Sequence, residues 1–212
     1  THYFKYCVEA RTFALLGRTF TFDFVAFASA FLVIGGWVGV LGIVSTGWLA
    51  GRLGKKRAFM LFFSISILCT AAFFFLPPDA LLAMFALQIV GSFFGGPLSP
   101  LIWAMYADTA DWGEWKNGRR ATGLVFSAST MSQKMGWALG GFLAGWLLTA
   151  VGFVANETAT PEVRSGLTLL MSLIPAAAGV LAVLLMTLYR LDSEKMTEIE
   201  RDLRARRTTD AT

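Results

Sequence analysis

Residues 80–120 read ALLAMFALQIVGSFFGGPLSPLIWAMYADTADWGEWKNGRR, and this stretch decides the fold. Its first 28 residues, Ala80–Ala107, carry no charge at all. In the remainder, Asp108–Arg120, three carboxylates at spacing three precede three cations. A bilayer core about 30 Å thick is crossed by roughly 20 apolar residues in a helix. The first part is long enough to cross, and the second reads as the polar segment where the chain leaves lipid. Working outward, the same pattern recurs. Phe24–Gly51, Ala58–Pro78 and Ser165–Tyr189 are uncharged, and Ala121–Asn156 holds one charge, Lys134. None of these runs alternates with the period of two that a strand requires, so helices are expected rather than a barrel. A cleavable leader would show one short apolar run, not five.

Composition agrees. The chain is 56% hydrophobic and 15% charged, with mean hydropathy +0.61, whereas soluble domains carry about 25% charged residues. Two cysteines, Cys7 and Cys69, exclude a disulfide scaffold, and one histidine with two cysteines cannot build a zinc site. Cys69 lies within a span, so free thiols are expected. Of the 18 Lys and Arg residues, all but Lys134, which lies within a span, sort by side. Lys5, Arg11, Arg18 and Arg164 fall on one. Arg52, Lys55, Lys56, Arg57, Lys116, Arg119, Arg120, Arg190, Lys195, Arg201, Arg204, Arg206 and Arg207 fall on the other. Positive residues stay inside, so the second side is read as cytoplasmic. The pI near 9.3 is then a topology signal, and no nucleic-acid partner is implied.

The expected organisation is an extracytoplasmic stub over 1–22, a transmembrane bundle over 23–190 and a cytoplasmic amphipathic tail over 191–212. Spans are expected at about 24–50, 58–77, 80–106, 121–151 and 165–189. The aromatic start, Thr1-His2-Tyr3-Phe4-Lys5-Tyr6, reads as the trailing end of a preceding helix. In the tail, Met196, Ile199 and Leu203 recur at helical spacing between charges that include the pairs Glu200–Arg204 and Asp202–Arg206. That pattern predicts a helix lying on the inner membrane surface. Asn156-Glu157-Thr158 matches a glycosylation sequon on the outer side, a match expected to be fortuitous.

Lys134 is the first candidate functional residue. It sits about 21 Å along a helix from Arg120, too far for its stem to reach the interface. A buried ammonium costs about 3 kcal/mol or more on insertion scales, so it needs a partner or a watered cavity. Ser127, Thr130, Ala138, Gly141 and Gly145 fall within about 40° of its direction. The stripe is polar on one side of Lys134 and small on the other. A lysine paired with a backbone carbonyl for packing alone is the plainer reading. Gly136/Gly140 and Gly141/Gly145, and Gly35/Gly39 in the first span, are spaced for close helix approach.

The third span carries Gly91, Gly95, Gly96, Pro97 and Pro100. Proline removes a backbone donor, which leaves two readings: a helix broken against a binding cavity, or a plain kink. Trp103, one turn on, suits stacking on a sugar face or contact with lipid. The segment Asp108–Arg120 admits a metal site on Asp108, Asp111 and Glu114, a general acid/base pair, or ion pairs that form and break at the cytoplasmic mouth. The last is favoured. Trp112 and Trp115 suit an interfacial aromatic belt.

These residues resemble a known family. Gly47-Trp48-Leu49-Ala50-Gly51-Arg52-Leu53-Gly54-Lys55-Lys56-Arg57 resembles the G-x-L-A-D-R-x-G-R/K turn of the major facilitator superfamily, with Gly51 where Asp is common. Ala107–Arg120 is similar to the A-D-x-x-D-Y-G-E-W-K-T-G-R-R segment of glycoside–pentoside–hexuronide:cation symporters, the melibiose-permease-like group. Gly123, Ser127, Gln133-Lys134 and Gly140-Gly141 match as well. The resemblance implies an all-α membrane protein, this chain supplying five complete helices and the end of a sixth from the carboxy-terminal bundle of a twelve-helix transporter. It implies symport of a sugar or glycoside with Na⁺ or H⁺ by alternating access in the cell (inner) membrane, the C-terminus being cytoplasmic. The partners implied are an amino-terminal six-helix half, the sugar, the coupling cation and the lipid bilayer; there is no resident cofactor, metal or catalytic residue. By the same resemblance Lys134, Thr130 and Ser127 serve substrate and cation coupling. Asp108, Asp111, Glu114, Arg119, Arg120 and Arg52 form the gate, and Trp103 is a candidate for sugar stacking. The alternatives are a non-transporting membrane fragment or assembly partner with a buried lysine ion pair, and a membrane enzyme using the three carboxylates, which lacks a nucleophile.

Overall fold

The computed structural model describes residues 11–15, 18–22, 24–77, 80–154 and 160–210, with side chains over 25–77, 80–154 and 160–208. The aromatic start and the Asn156 sequon lie outside these residues. A two-stranded antiparallel hairpin opens the described chain: β1 (Arg11–Leu15) pairs with β2 (Arg18–Phe22), Arg11 opposite Phe22 and Leu15 opposite Arg18. The reading of 1–22 as an extracytoplasmic stub did not foresee this hairpin, which departs from an all-α chain. Thr and Phe in Arg11–Leu15 and Arg18–Phe22 favour the extended chain, but five-residue strands are too short to stand out beside 20-residue apolar runs.

Among the described residues all other regular structure is helical: α1 (Phe24–Leu53), α2 (Lys55–Ala72) with a 3₁₀ turn at Phe73–Phe75, α3 (Leu81–Gly95), α4 (Leu98–Asn117), α5 (Thr122–Ala150), α6 (Pro161–Met171), α7 (Leu173–Thr187) and α8 (Ser193–Asp210). The pairs α3–α4 and α6–α7 each run on as one span. Among the described residues, Val25–Leu53, Lys55–Phe75, Leu81–Asn117 and Pro161–Thr187 are long and apolar enough to cross a membrane. The fourth expected span, α5, has the length but not the apolarity. Ser127, Ser129, Thr130, Ser132, Gln133, Lys134 and its glycines dilute it.

The third span is kinked, not broken. Gly96 and Pro97 both keep right-handed helical angles, and the Gly96 N–H still donates to Ser92 O at 2.9 Å. Pro97 has no N–H to give Phe93 O. The small face of α1 lies against this point. A Cβ at Gly42 would stand 2.1 Å from Phe93 O, and one at Gly96 would stand 2.1 Å from Gly39 O. Gly35 likewise faces Gln88. The last span bends at Ser172, where Pro175 cannot donate to Met171; Ser172 departs from helical angles and is fully buried.

Two apolar clusters hold the bundle. Phe27, Ala28, Phe31, Phe73, Leu81 and Met84 form one, and Ala58, Phe59, Phe62, Leu101 and Met105 the other. Helix α5 stands apart from both, with no buried residue. A Cβ added at Gly136, Gly140, Gly141 or Gly145 would meet nothing within 4 Å. The small stripe of α5 thus faces no other described part of the chain.

Candidate functional site

Helix α5 brings together the three residues that its periodicity aligned. Ser127, Thr130 and Lys134 line one open cleft of about 500 Å³ with Phe126, Met131 and Met135. Both hydroxyls are already committed as donors: Ser127 Oγ to Gly123 O at 2.6 Å and Thr130 Oγ1 to Phe126 O at 2.8 Å. A hydroxyl has one proton and two lone pairs, so each presents only acceptor capacity to the cleft. Lys134 is exposed and makes no ion pair among the described residues. The cleft therefore offers an ammonium at one end and hydroxyl acceptors beyond it.

Trp103 does not stand free. Its ring stacks on Phe126 with centroids 5.7 Å apart and planes 21° apart, and Tyr106 meets it edge-on at 5.6 Å. The α4–α5 contact is built on these rings.

The gate carboxylates lie in a helix, which corrects the reading of Asp108–Arg120 as a polar segment beyond the span; Arg119 and Arg120 lie in the connection after it. Asp108, Asp111 and Glu114 occupy the last three turns of α4, and only Gly118–Ala121 connects to α5. Gly118 ends α4 in the left-handed region at φ 69°, its N–H donating to Glu114 O at 2.8 Å, a conformation glycine adopts without strain. Spacing of three to four on one helix places the carboxylates on one face. Asp108, 5% exposed, receives Lys55 Nζ at 2.6 and 2.9 Å. Arg120 reaches back across the connection to Asp111 at 2.9 Å and Glu114 at 3.6 Å. Glu114 also takes Arg207 of α8 at 3.0 Å. With each carboxylate held by a cation, the set is an ion-pair cluster. Arg119 is exposed and makes no ion pair among the described residues. Arg52 lies 4.1 Å over the Trp48 ring and does not join the carboxylates.

The tail departs from expectation. Met196, Ile199 and Leu203 are buried against Trp112, Trp115 and Leu191, so the apolar face of α8 is spent on α4 and not on lipid. The two tryptophans accordingly lie under the tail. Trp115 Nε1 donates to Asp202 at 2.9 Å, and Arg206 donates to Trp115 O at 3.1 Å. These bonds replace the expected Asp202–Arg206 pair, while Glu200–Arg204 forms at 3.7 Å. Lys56 Nζ donates to Tyr189 O and, at 3.2 Å, to Thr187 O, satisfying carbonyls at the end of α7.

Sequence reasoning missed Lys55, Arg207 and Phe126. Lys55 was visible as a cation in a helix's first turn, and Phe126 as the aromatic one turn before Thr130. Nothing in the tail's charge pattern singled out Arg207.

Residues 6–193 match the family described as MFS/sugar transport protein. A candidate glycoside/cation symporter of Escherichia coli strain K12 is 30% identical over 87% of this chain and 40% of its own length. The uncharacterized symporter YjmB of Bacillus subtilis is 33% identical over 82% of this chain and 37% of its own. An isoprimeverose transporter of Lactiplantibacillus pentosus is 30% identical over 73% and 33%. The chain thus spans two fifths or less of the curated relatives it matches. Their shared occupation is transport, which removes the enzyme reading of the carboxylates. An MFS sugar-transport match over nearly the whole chain, together with symporter relatives, places this multi-pass membrane protein in the glycoside–pentoside–hexuronide branch of the major facilitator superfamily.

Proposed function

We propose that this chain works as the carboxy-terminal half of a sugar:cation symporter, coupling a sugar or glycoside to Na⁺ or H⁺ by alternating access in the cell (inner) membrane. The observation that carries the reading is the cleft on α5. A helix with no buried residue holds Lys134, Thr130 and Ser127 on one open face, with a small-residue stripe continuing beyond. An ammonium held at membrane depth needs an anionic or watered partner. The companion six-helix half would supply it, with Lys134 pairing to carboxylates there when the site is empty. Cation and sugar then compete for those carboxylates, and the change of partner biases the two orientations. Relatives named for a glucuronide, for isoprimeverose and for glycosides support a sugar substrate.

In this scheme the basic end of the bundle and the C-terminus are cytoplasmic. Asp108, Asp111, Glu114 and Arg120 act as the inner gate, Arg52 and Arg119 adding unpaired positive charge to the same basic side, and Trp103 borders the sugar site. The test is uptake by the complete transporter carrying Lys134→Ala, energised by a sodium or proton gradient. Loss of uphill accumulation is expected, and undiminished accumulation would remove Lys134 from the coupling role.

A further inference from the structure

We propose that Phe126 is the aromatic platform of the cleft, receiving the apolar C–H face of a pyranoside ring whose hydroxyls reach Ser127 and Thr130. This rests on the transport reading above and assigns a specificity-determining residue to it.

Phe126 lines the same cleft as Ser127, Thr130 and Lys134. It stands eight residues before Lys134 on one helix, about 12 Å along the axis. Its ring is held from behind. Trp103 stacks on it at 5.7 Å, and Tyr106 meets it edge-on at 6.4 Å and 78°. Tyr106 is itself edge-on to Trp103 at 5.6 Å. Three rings from α4 and α5 therefore fix the platform before any ligand arrives, which removes an ordering cost from binding. Trp103 is 38% exposed, but it gives one face to Phe126 and does not line the cleft. It is a positioning residue here, and Phe126 is the contacting one.

The polar groups beside the ring match the same ligand. Ser127 and Thr130 have given their protons to Gly123 O and Phe126 O, so they accept hydrogen bonds from a ligand and donate none. Lys134 donates and accepts none. A pyranoside carries both complements: hydroxyl groups around its rim, able to donate and accept, and a patch of axial C–H bonds on a face. An acyclic polyol has the hydroxyls without the ring face, and a hydrocarbon has neither.

The experiment measures uptake kinetics of the complete transporter with isoprimeverose and p-nitrophenyl glucuronide as probes. Phe126→Leu keeps a large apolar side chain and removes the ring. It should raise KM for the transported probe roughly three- to tenfold, the worth of one aromatic contact, while Vmax stays within about twofold. Phe126→Tyr keeps the ring and should restore KM, which controls for folding. Trp103→Leu should raise KM less than Phe126→Leu. Unchanged KM in Phe126→Leu, with a raised KM in Thr130→Val, would overturn the platform and leave the transport reading standing. A fall in Vmax alone, shared by Phe126→Leu and Phe126→Tyr, would reduce Phe126 to packing and likewise overturn it. A wild-type transporter that takes up no pyranoside in a panel including both probes would overturn the transport reading together with this one.

Discussion

Arg207 in α8 lies 3.0 Å from Glu114 in α4, and the same carboxylate lies 3.6 Å from Arg120 in the connection that leads into α5. One side chain thus joins the tail helix to the connection before the helix that carries Lys134. The exposed Arg207–Glu114 pair is worth about 1 kcal/mol or less by itself. The docking strength comes from beneath, where Ile199 is 0% exposed between Met196 and Leu203.

Truncating that residue should release the tail. Ile199→Ala is expected to cost about 2–4 kcal/mol of docking. Trypsin has sites at Arg201 and Arg204, both on the exposed side of α8. In detergent-solubilised protein, Ile199→Ala should be cut there far faster than wild type, whereas Arg207→Ala should change the rate only slightly. Equal rates for Ile199→Ala and wild type would mean that the apolar face does not hold the helix.

The Lys55–Asp108 pair is unevenly buried, and this predicts an asymmetry. The Lys55 side chain is 43% exposed, and that of Asp108 7%. Lys55→Ala strands a buried carboxylate, at a cost of about 3 kcal/mol. Asp108→Asn leaves an ammonium that water can reach, so it should cost about 1 kcal/mol. Thermal unfolding in detergent should rank Lys55→Ala well below Asp108→Asn, and the double variant should recover much of the loss. The reverse ranking would show that Asp108 is hydrated or paired elsewhere.

Much of this was legible from residue spacing. The charge-free run through Ala107 located the kinked span, and offsets of four and seven from Lys134 gathered Thr130 and Ser127 into one cleft. What stayed hidden depended on which faces meet. Met196, Ile199 and Leu203 define an apolar stripe that fits a membrane surface or a protein surface equally well; the nearby Trp112 and Trp115 decided it, and a helical pattern carries no address for its partner. The carboxylates of Asp108–Glu114 looked like a loop because charge density was read as a helix end, yet α4 continues to Asn117. Polar residues on a helix at the rim of a bundle need not interrupt it.

Gly118 is a hinge candidate with a simple test. At φ 69° any L-residue with a Cβ is strained, so Gly118→Ala should cost about 1 kcal/mol. Nothing stands within 4 Å of an added Cβ, so the cost is conformational and not steric. Gly118→Asn, which tolerates the left-handed region better, should recover part of it. Melting temperatures of the three proteins should order as Gly, Asn, Ala. Equal melting of Ala and Gly would show that the connection between α4 and α5 relaxes without penalty.

Two glycines of similar sequence context should respond in opposite ways, which separates packing inside this chain from packing against a companion. Gly42 touches Phe93 O through the kink made by Pro97, and a Cβ there would lie 2.1 Å from that oxygen. The obstacle is backbone, so α1 and α3 must move apart, with an expected loss of about 1–3 kcal/mol. Gly141 on α5 has open space around it among the described residues. Gly141→Ala should therefore leave the thermal stability of this chain alone, or raise it slightly, since alanine favours the helix by up to about 1 kcal/mol over glycine. If the small stripe of α5 packs against the proposed companion half, the same substitution in the complete transporter should lower uptake while the isolated chain is unaffected. Gly141→Ala that is silent in both measurements would leave the stripe facing lipid and would remove it from the interface.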